Sequence, residues 1–183
     1  GLMVLFLTRV QANLWFLNQV KDGNTAEWNR KQLCVNAPVF VVLFLATTAV
    51  LLTTGGYETT GLHEFQWVDN KYLNNFIAMP AALISFLLGT LMVLYAVFAA
   101  LFRKSRKGIW FSGLGTVLVV LSLFWVAGYN DTPYYPSYAD MESSLTIYNS
   151  SSSEFTLKTM SVVSLAIPFV LAYIAWVWYK LTK

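Results

Sequence analysis

Five long apolar runs alternate with short polar gaps along the chain, over residues 1–20, 37–56, 75–102, 109–128 and 157–180. Each is near or above the ~20 residues that carry a helix across a bilayer. Backbone amides in hydrocarbon must be satisfied within their own segment, and the short alternating strands of a barrel are missing from the pattern, so the runs predict helices. The expected fold is all-α and polytopic. Five transmembrane helices form a helical bundle plus a peripheral helix, in one membrane domain over residues 1–183.

The gaps set a direction. Lys21, Arg30 and Lys31 fill the first gap, Arg103, Lys104, Arg106 and Lys107 the third, and Lys180 and Lys183 the tail. The second gap holds Glu58, Glu64 and Asp69 with only Lys71, and the fourth holds Asp131, Asp140, Glu142 and Glu154 with no base. Basic loops stay on the cytoplasmic side, so the first set is expected inside and the acidic gaps outside, with an outward N-terminus and a cytoplasmic C-terminus. Lys158 joins Lys71 outside, and Arg9 is left within the first run.

Local signals refine the runs. Pro38, after Asn36 and Ala37, is expected in the opening turn of the second span, where a missing N–H costs nothing. Pro80 is expected to kink the third span rather than start it. Ser151 and Glu154 have capping-box spacing, which predicts a last helix beginning near Ser152 and bent midway by Pro168. Tyr57, Trp67, Trp110, Tyr129, Trp176, Trp178 and Tyr179 gather at span ends, as interfacial anchors do. The first run begins at Gly1 with no basic flank, so further sequence, and further helices, are expected upstream.

Composition agrees: 57% of residues are hydrophobic and 11% charged, against roughly 25% charged in an average soluble domain. The net charge of +3 then reflects loop bias. The cluster from Arg103 to Lys107 is expected at anionic lipid heads, and no nucleic acid is expected as a partner. A single cysteine, Cys34, excludes an internal disulfide and offers no metal-ligand pair. No Gly-rich phosphate loop, Cys or His cluster or His-backed nucleophile appears, so the chain is not expected to be catalytic alone.

The tail carries identity. Ser144-Leu145-Thr146, Ser152-Ser153, Thr156-Leu157, Met160, Pro168, Tyr173, Ala175-Trp176 and Lys180 resemble the last outer loop and last helix of subunit II of the cytochrome bd quinol oxidase family. The likeness extends upstream through Gly55-Gly56-Tyr57, Asn74-Asn75 before Pro80, and the basic turn before Trp110. It implies the C-terminal portion of a subunit about twice as long, within a respiratory complex of the bacterial inner membrane that oxidises quinol and reduces oxygen to water. It also implies that haems b and d belong to subunit I, the haem-bearing partner, that a quinone is part of the complex, and that this subunit holds no haem. The family's acidic signature near its N-terminus has no counterpart in these residues.

The residues fit that division. A haem iron needs an axial ligand on a rigid element in a pocket, and the sole histidine, His63, falls in an expected outer loop beside Glu64. No metal site and no catalytic residue are assigned. Arg9 is the one ionisable residue deep in an apolar run, where a charge faces a partner or a cavity. Asn13, four residues on, shares its face, while Gln11 does not. Arg9 and Asn13 are therefore the candidate contacts to a quinone, water or cofactor propionate at the subunit interface, against the alternative of an arginine near a helix end that snorkels or pairs with an acid from a missing segment. Thr47, Thr48, Ser85, Ser112, Ser122, Ser161 and Ser164, with Gly113 and Gly115, are expected to serve close helix packing. A transporter or scaffold subunit is the rival class, but it calls for a polar midplane lining that the spans between Pro80 and Pro168 lack.

Overall fold

The computed structural model describes residues 1–20, 22–61 and 64–181; Lys21, His63 and Lys183, assigned above to loops or the tail, lie outside the described residues. The chain forms two compact units, Gly1–Thr146 and Ile147–Lys183. Four helices are long and apolar enough to cross a membrane, Gly23–Thr53, Pro80–Leu101, Gly108–Gly128 and Glu154–Leu181. The chain is thus a mostly helical, multi-pass membrane protein. The first expected span, α1 (Leu2–Gln19), is not among the four, because Arg9, Gln11, Asn13, Asn18 and Gln19 dilute its apolar character.

Helix α2 (Gly23–Thr53) runs 31 residues, about 46 Å at 1.5 Å per residue and longer than a ~30 Å hydrocarbon core. The gap expected as a polar loop is therefore its opening turns. Asp22 caps it by accepting from the Thr25 backbone N–H, and Ala26, Asn29, Leu33 and Asn36 recur at 3-4-3 spacing on its buried face. Ala26 and Leu33 pack, with Ala37 and Phe40, against Val10, Leu14 and Leu17 of α1. Pro38 sits inside α2 rather than in its first turn, so the Cys34 carbonyl lacks its usual donor four residues on.

After α2, β1 (Gly56–Gly61) and β2 (Glu64–Val68) form an antiparallel hairpin that the all-α expectation did not contain. Tyr57 pairs with Trp67 across it, their rings edge to face at 4.9 Å, the cross-strand contact that makes so short a hairpin hold. At Pro80 the chain breaks where a kink was expected: α3 (Lys71–Ala78) ends, Met79 takes φ −120° and ψ 81°, and α4 (Pro80–Leu101) starts anew with proline in its first turn. Proline disfavours helical geometry at the residue before it and suits a helix start, so the break costs less than a kink.

Helices α4 and α5 (Gly108–Gly128) form the closest pair. A Cβ on Gly89 would come within 2.6 Å of the Gly115 carbonyl oxygen, and one on Gly115 equally close to that of Gly89, so only glycine lets the backbones meet. Ser85 Oγ donates to the Leu118 carbonyl across the same seam at 3.2 Å. Gly113, expected to pack likewise, faces open space. Thr47 donates within its own helix, to Leu43, as does Ser122, to Val119. A row of rings, Phe40, Phe44, Phe86 and Phe76, with centroids 5.9, 5.9 and 5.4 Å apart, joins α2 to α4 and α3.

In the second unit, α6 (Ile147–Ser150), α7 (Glu154–Ser164) and α8 (Ile167–Leu181) follow in order. Ser153, not Ser151, caps α7 by accepting from the Thr156 N–H. Leu165 and Ala166 interrupt the helix, their N–H groups reaching the Val162 and Val163 carbonyls, so the bend expected at Pro168 is a break two residues before it.

Candidate functional site

At the hairpin end of the first unit, one buried polar cluster ties three segments together. Lys71, at the start of α3, is 1% exposed at its side chain, and its Nζ lies 2.5 Å from Glu58 Oε2 of β1. The same ammonium donates to the Asn130 carbonyl at 3.0 Å. One turn on, Asn75 Nδ2 donates to the Val126 and Tyr129 carbonyls and to Thr132 Oγ1, at 2.9, 3.1 and 2.9 Å. Val126 lies in the last turn of α5, whose carbonyls have no donor within the helix, so Asn75 acts as a side-chain cap. Tyr134 Oη adds a bond to the Phe124 carbonyl at 2.7 Å. The sequence offered one signal for this cluster, Lys71 as the lone base of an acidic gap.

Midway along the helices, Gln11 of α1 reaches α5. Its Nε2 donates to Thr116 Oγ1 at 2.9 Å and to the Ser112 carbonyl at 3.3 Å. Asn13, one of the two candidate contacts, is buried among Val10, Leu14 and Leu17. Arg9, the other, is exposed, with its guanidinium carbon 5.7 Å from the Phe6 ring centre. The two share a side of α1 as the spacing predicts, but one lies inside the packed face and the other outside it. Gln11, set apart from them in sequence, makes the polar link between helices.

Between the pairs α1–α2 and α4–α5 lies a cavity of about 140 Å³, lined in part by Leu7, Phe44, Thr48, Phe86, Thr116 and Val120. It exists because each pair packs closely within itself and sparsely against the other. Three of its threonine hydroxyls are engaged: Thr47, Thr90 and Thr116 donate to Leu43, Phe86 and Ser112 carbonyls in their own helices. Apart from Thr48, what remains is hydrocarbon, which fits a ring or chain segment better than the carbonyls of a quinone head. Its apolar lining favours an apolar occupant.

Among the described residues no group of three or more His, Cys, Asp or Glu side chains gathers at metal-binding distance. Cys34 is exposed and unpaired with any other cysteine. A family model described as cytochrome bd terminal oxidase subunit II matches residues 1–181. No curated protein matches the chain.

Proposed function

The chain belongs to the cytochrome bd terminal oxidase subunit II family, and from that premise we propose that it is the non-haem subunit of a quinol:oxygen oxidoreductase, holding a haem-bearing subunit I in its working arrangement. The family match over 1–181 carries the reading. Haems b and d and the quinol-oxidising site then reside in the partner, and this chain supplies a membrane-embedded scaffold. The apolar cavity is consistent with that role, since its lining suits hydrocarbon rather than quinone chemistry. The rival class of transporter gains little from the site, because Gln11, Ser85 and Thr116, polar groups between the helices, are engaged with backbone carbonyls and one another.

We further propose that α1 crosses the membrane as well, giving five spans. The charge bias puts Lys31 and the Arg103–Lys107 turn on the cytoplasmic side and the hairpin with its Lys71 cluster outside, and an α1 that crosses then starts on the outer side. Arg9 is then a contact of the subunit interface, and Asn13 a packing residue behind it.

Affinity purification of the full-length chain from its native membrane tests the function. The expected result is co-purification of a larger subunit showing reduced-minus-oxidised haem absorption, with quinol-dependent oxygen uptake. A preparation that retains its fold yet brings down no haem protein defeats the proposal.

A further inference from the structure

With α1 spanning as proposed above, Arg9 lies at mid-membrane, and its depth follows from the contacts of α1 with α5. Gln11 bonds to Thr116, and Asn18 Nδ2 donates to the Arg106 carbonyl at 3.0 Å, so α1 and α5 run antiparallel. Thr116 is the ninth of 21 residues in α5. Arg9 therefore stands level with the centre of that helix, about 15 Å from either end at 1.5 Å per residue. Its guanidinium leans one turn back over Phe6, still about 10 Å short of the helix end by the same rise. No carboxylate among the described residues pairs with it.

The surface around it has the geometry of a helix seat. Leu2, Leu5, Arg9, Ala12, Phe16 and Gln19 recur at strict 3-4 spacing and are all exposed. That is the stripe along which a second helix packs at a shallow angle, and Ala12, next to Arg9, allows close approach. An unpaired guanidinium at this depth is costly in hydrocarbon, and an opposite charge relieves it.

We propose that this stripe of α1 seats a transmembrane helix of the partner subunit, and that the helix carries an Asp or Glu which pairs with Arg9. The inference rests on the oxidase-subunit reading and adds the contact and its chemistry. A lipid phosphate is the weaker occupant, because at the level of α5 the guanidinium stops about 10 Å inside the helix end.

The test uses the whole complex in native membranes, with a photo-crosslinking amino acid at Ala12 or Phe16 and, as control, at Val42 on the exposed face of α2. Mass spectrometry is expected to find the Ala12 and Phe16 adducts on a partner-subunit helix with an acid within one turn of the crosslink, and the Val42 adducts elsewhere. Arg9→Glu should lower assembled complex at least tenfold, Arg9→Lys should retain most of it, and the reciprocal acid→Arg change in the partner should restore Arg9→Glu. Adducts confined to lipid, to this chain itself or to a helix without an acid overturn the inference, as does undiminished assembly of Arg9→Glu. Because the unsubstituted chain is purified in parallel, loss of its haem-bearing partner would count against the subunit reading instead.

Discussion

Lys71 and Glu58 meet at 2.5 Å from unequal surroundings, the lysine side chain 1% exposed and the glutamate 28%. Removing the lysine leaves a carboxylate that water can reach. Removing the glutamate leaves a buried ammonium with the Asn130 carbonyl as its acceptor. Glu58→Ala is therefore expected to destabilise by about 3 kcal/mol, in the range for stranding a buried charge, and Lys71→Met by about 1 kcal/mol. Unfolding in mild detergent measures both, and equal losses would contradict the asymmetry.

Asn75 holds the end of α5 through one amide nitrogen serving three acceptors. Asn75→Ala should cost about 2 kcal/mol by leaving the Val126 carbonyl buried without its donor. Asn75→Asp should cost more, because it sets an acceptor where a donor is required. Thermal denaturation ranks the two, and an aspartate variant as stable as the original would remove Asn75 from the role of cap.

How much of this was legible beforehand depends on which force set each element. Apolar runs long enough to cross hydrocarbon announced α4, α5 and the last helix. The opening of α2 did not announce itself, since Arg30, Lys31 and Gln32 read as a loop; the cap at Asp22 and the stripe Ala26, Asn29, Leu33 and Asn36 were the signals to follow. The hairpin hid because Gly55, Gly56 and Gly61 look like a flexible turn, whereas its pairing depends on Tyr57 meeting Trp67. Of the polar candidates, Arg9 stood out because a lone charge in an apolar run is visible in one dimension. Gln11 and Asn75 matter through partners 105 and 57 residues away, which no local pattern displays.

Gly89 and Gly115 set how closely α4 and α5 approach. Gly89→Ala or Gly115→Ala places a methyl 2.6 Å from a facing carbonyl oxygen and should cost about 2 kcal/mol, as overpacking does. Gly113→Ala, two residues away and facing open space, should be neutral or slightly stabilising through helix propensity. Stability of the three variants in one detergent decides it, and a loss at Gly113 matching that at Gly115 would show that the cost lies in the backbone rather than in the contact.

Asp22 makes the start of α2 sensitive to acid. The backbone N–H of Thr25, then its hydroxyl, hold the carboxyl below its ordinary pKa. A pKa lower in the folded state means that the cap's contribution is whole above the unfolded pKa and disappears as pH falls through the folded one. The first turn of α2 should therefore fray only below about pH 4. Asp22→Ala should fray it at neutral pH, and Asp22→Asn should hold it at every pH. Hydrogen exchange at Ala26 and Glu27, corrected for intrinsic rates, reads the difference.

Whether α1 crosses the membrane can be settled with the single native cysteine. Cys34 is exposed in the polar opening of α2, and α2 must carry the chain from that side to the hairpin side. If α1 spans, residues at its start lie opposite Cys34; if it lies along the surface, they lie on the same side. In intact cells a membrane-impermeant maleimide should leave Cys34 unlabelled until the membrane is permeabilised, because Lys31 and the other bases of that opening belong inside. A Cys34→Ser chain carrying Leu2→Cys should label from outside without permeabilisation. The basic and acidic gaps, all C-terminal to α1, leave that choice open, and moving α1 to the surface would place Arg9 beside the headgroups, free of the mid-membrane penalty that gives it a partner. Labelling of both cysteines from the same side would reduce the spans to four and withdraw the role assigned to Arg9.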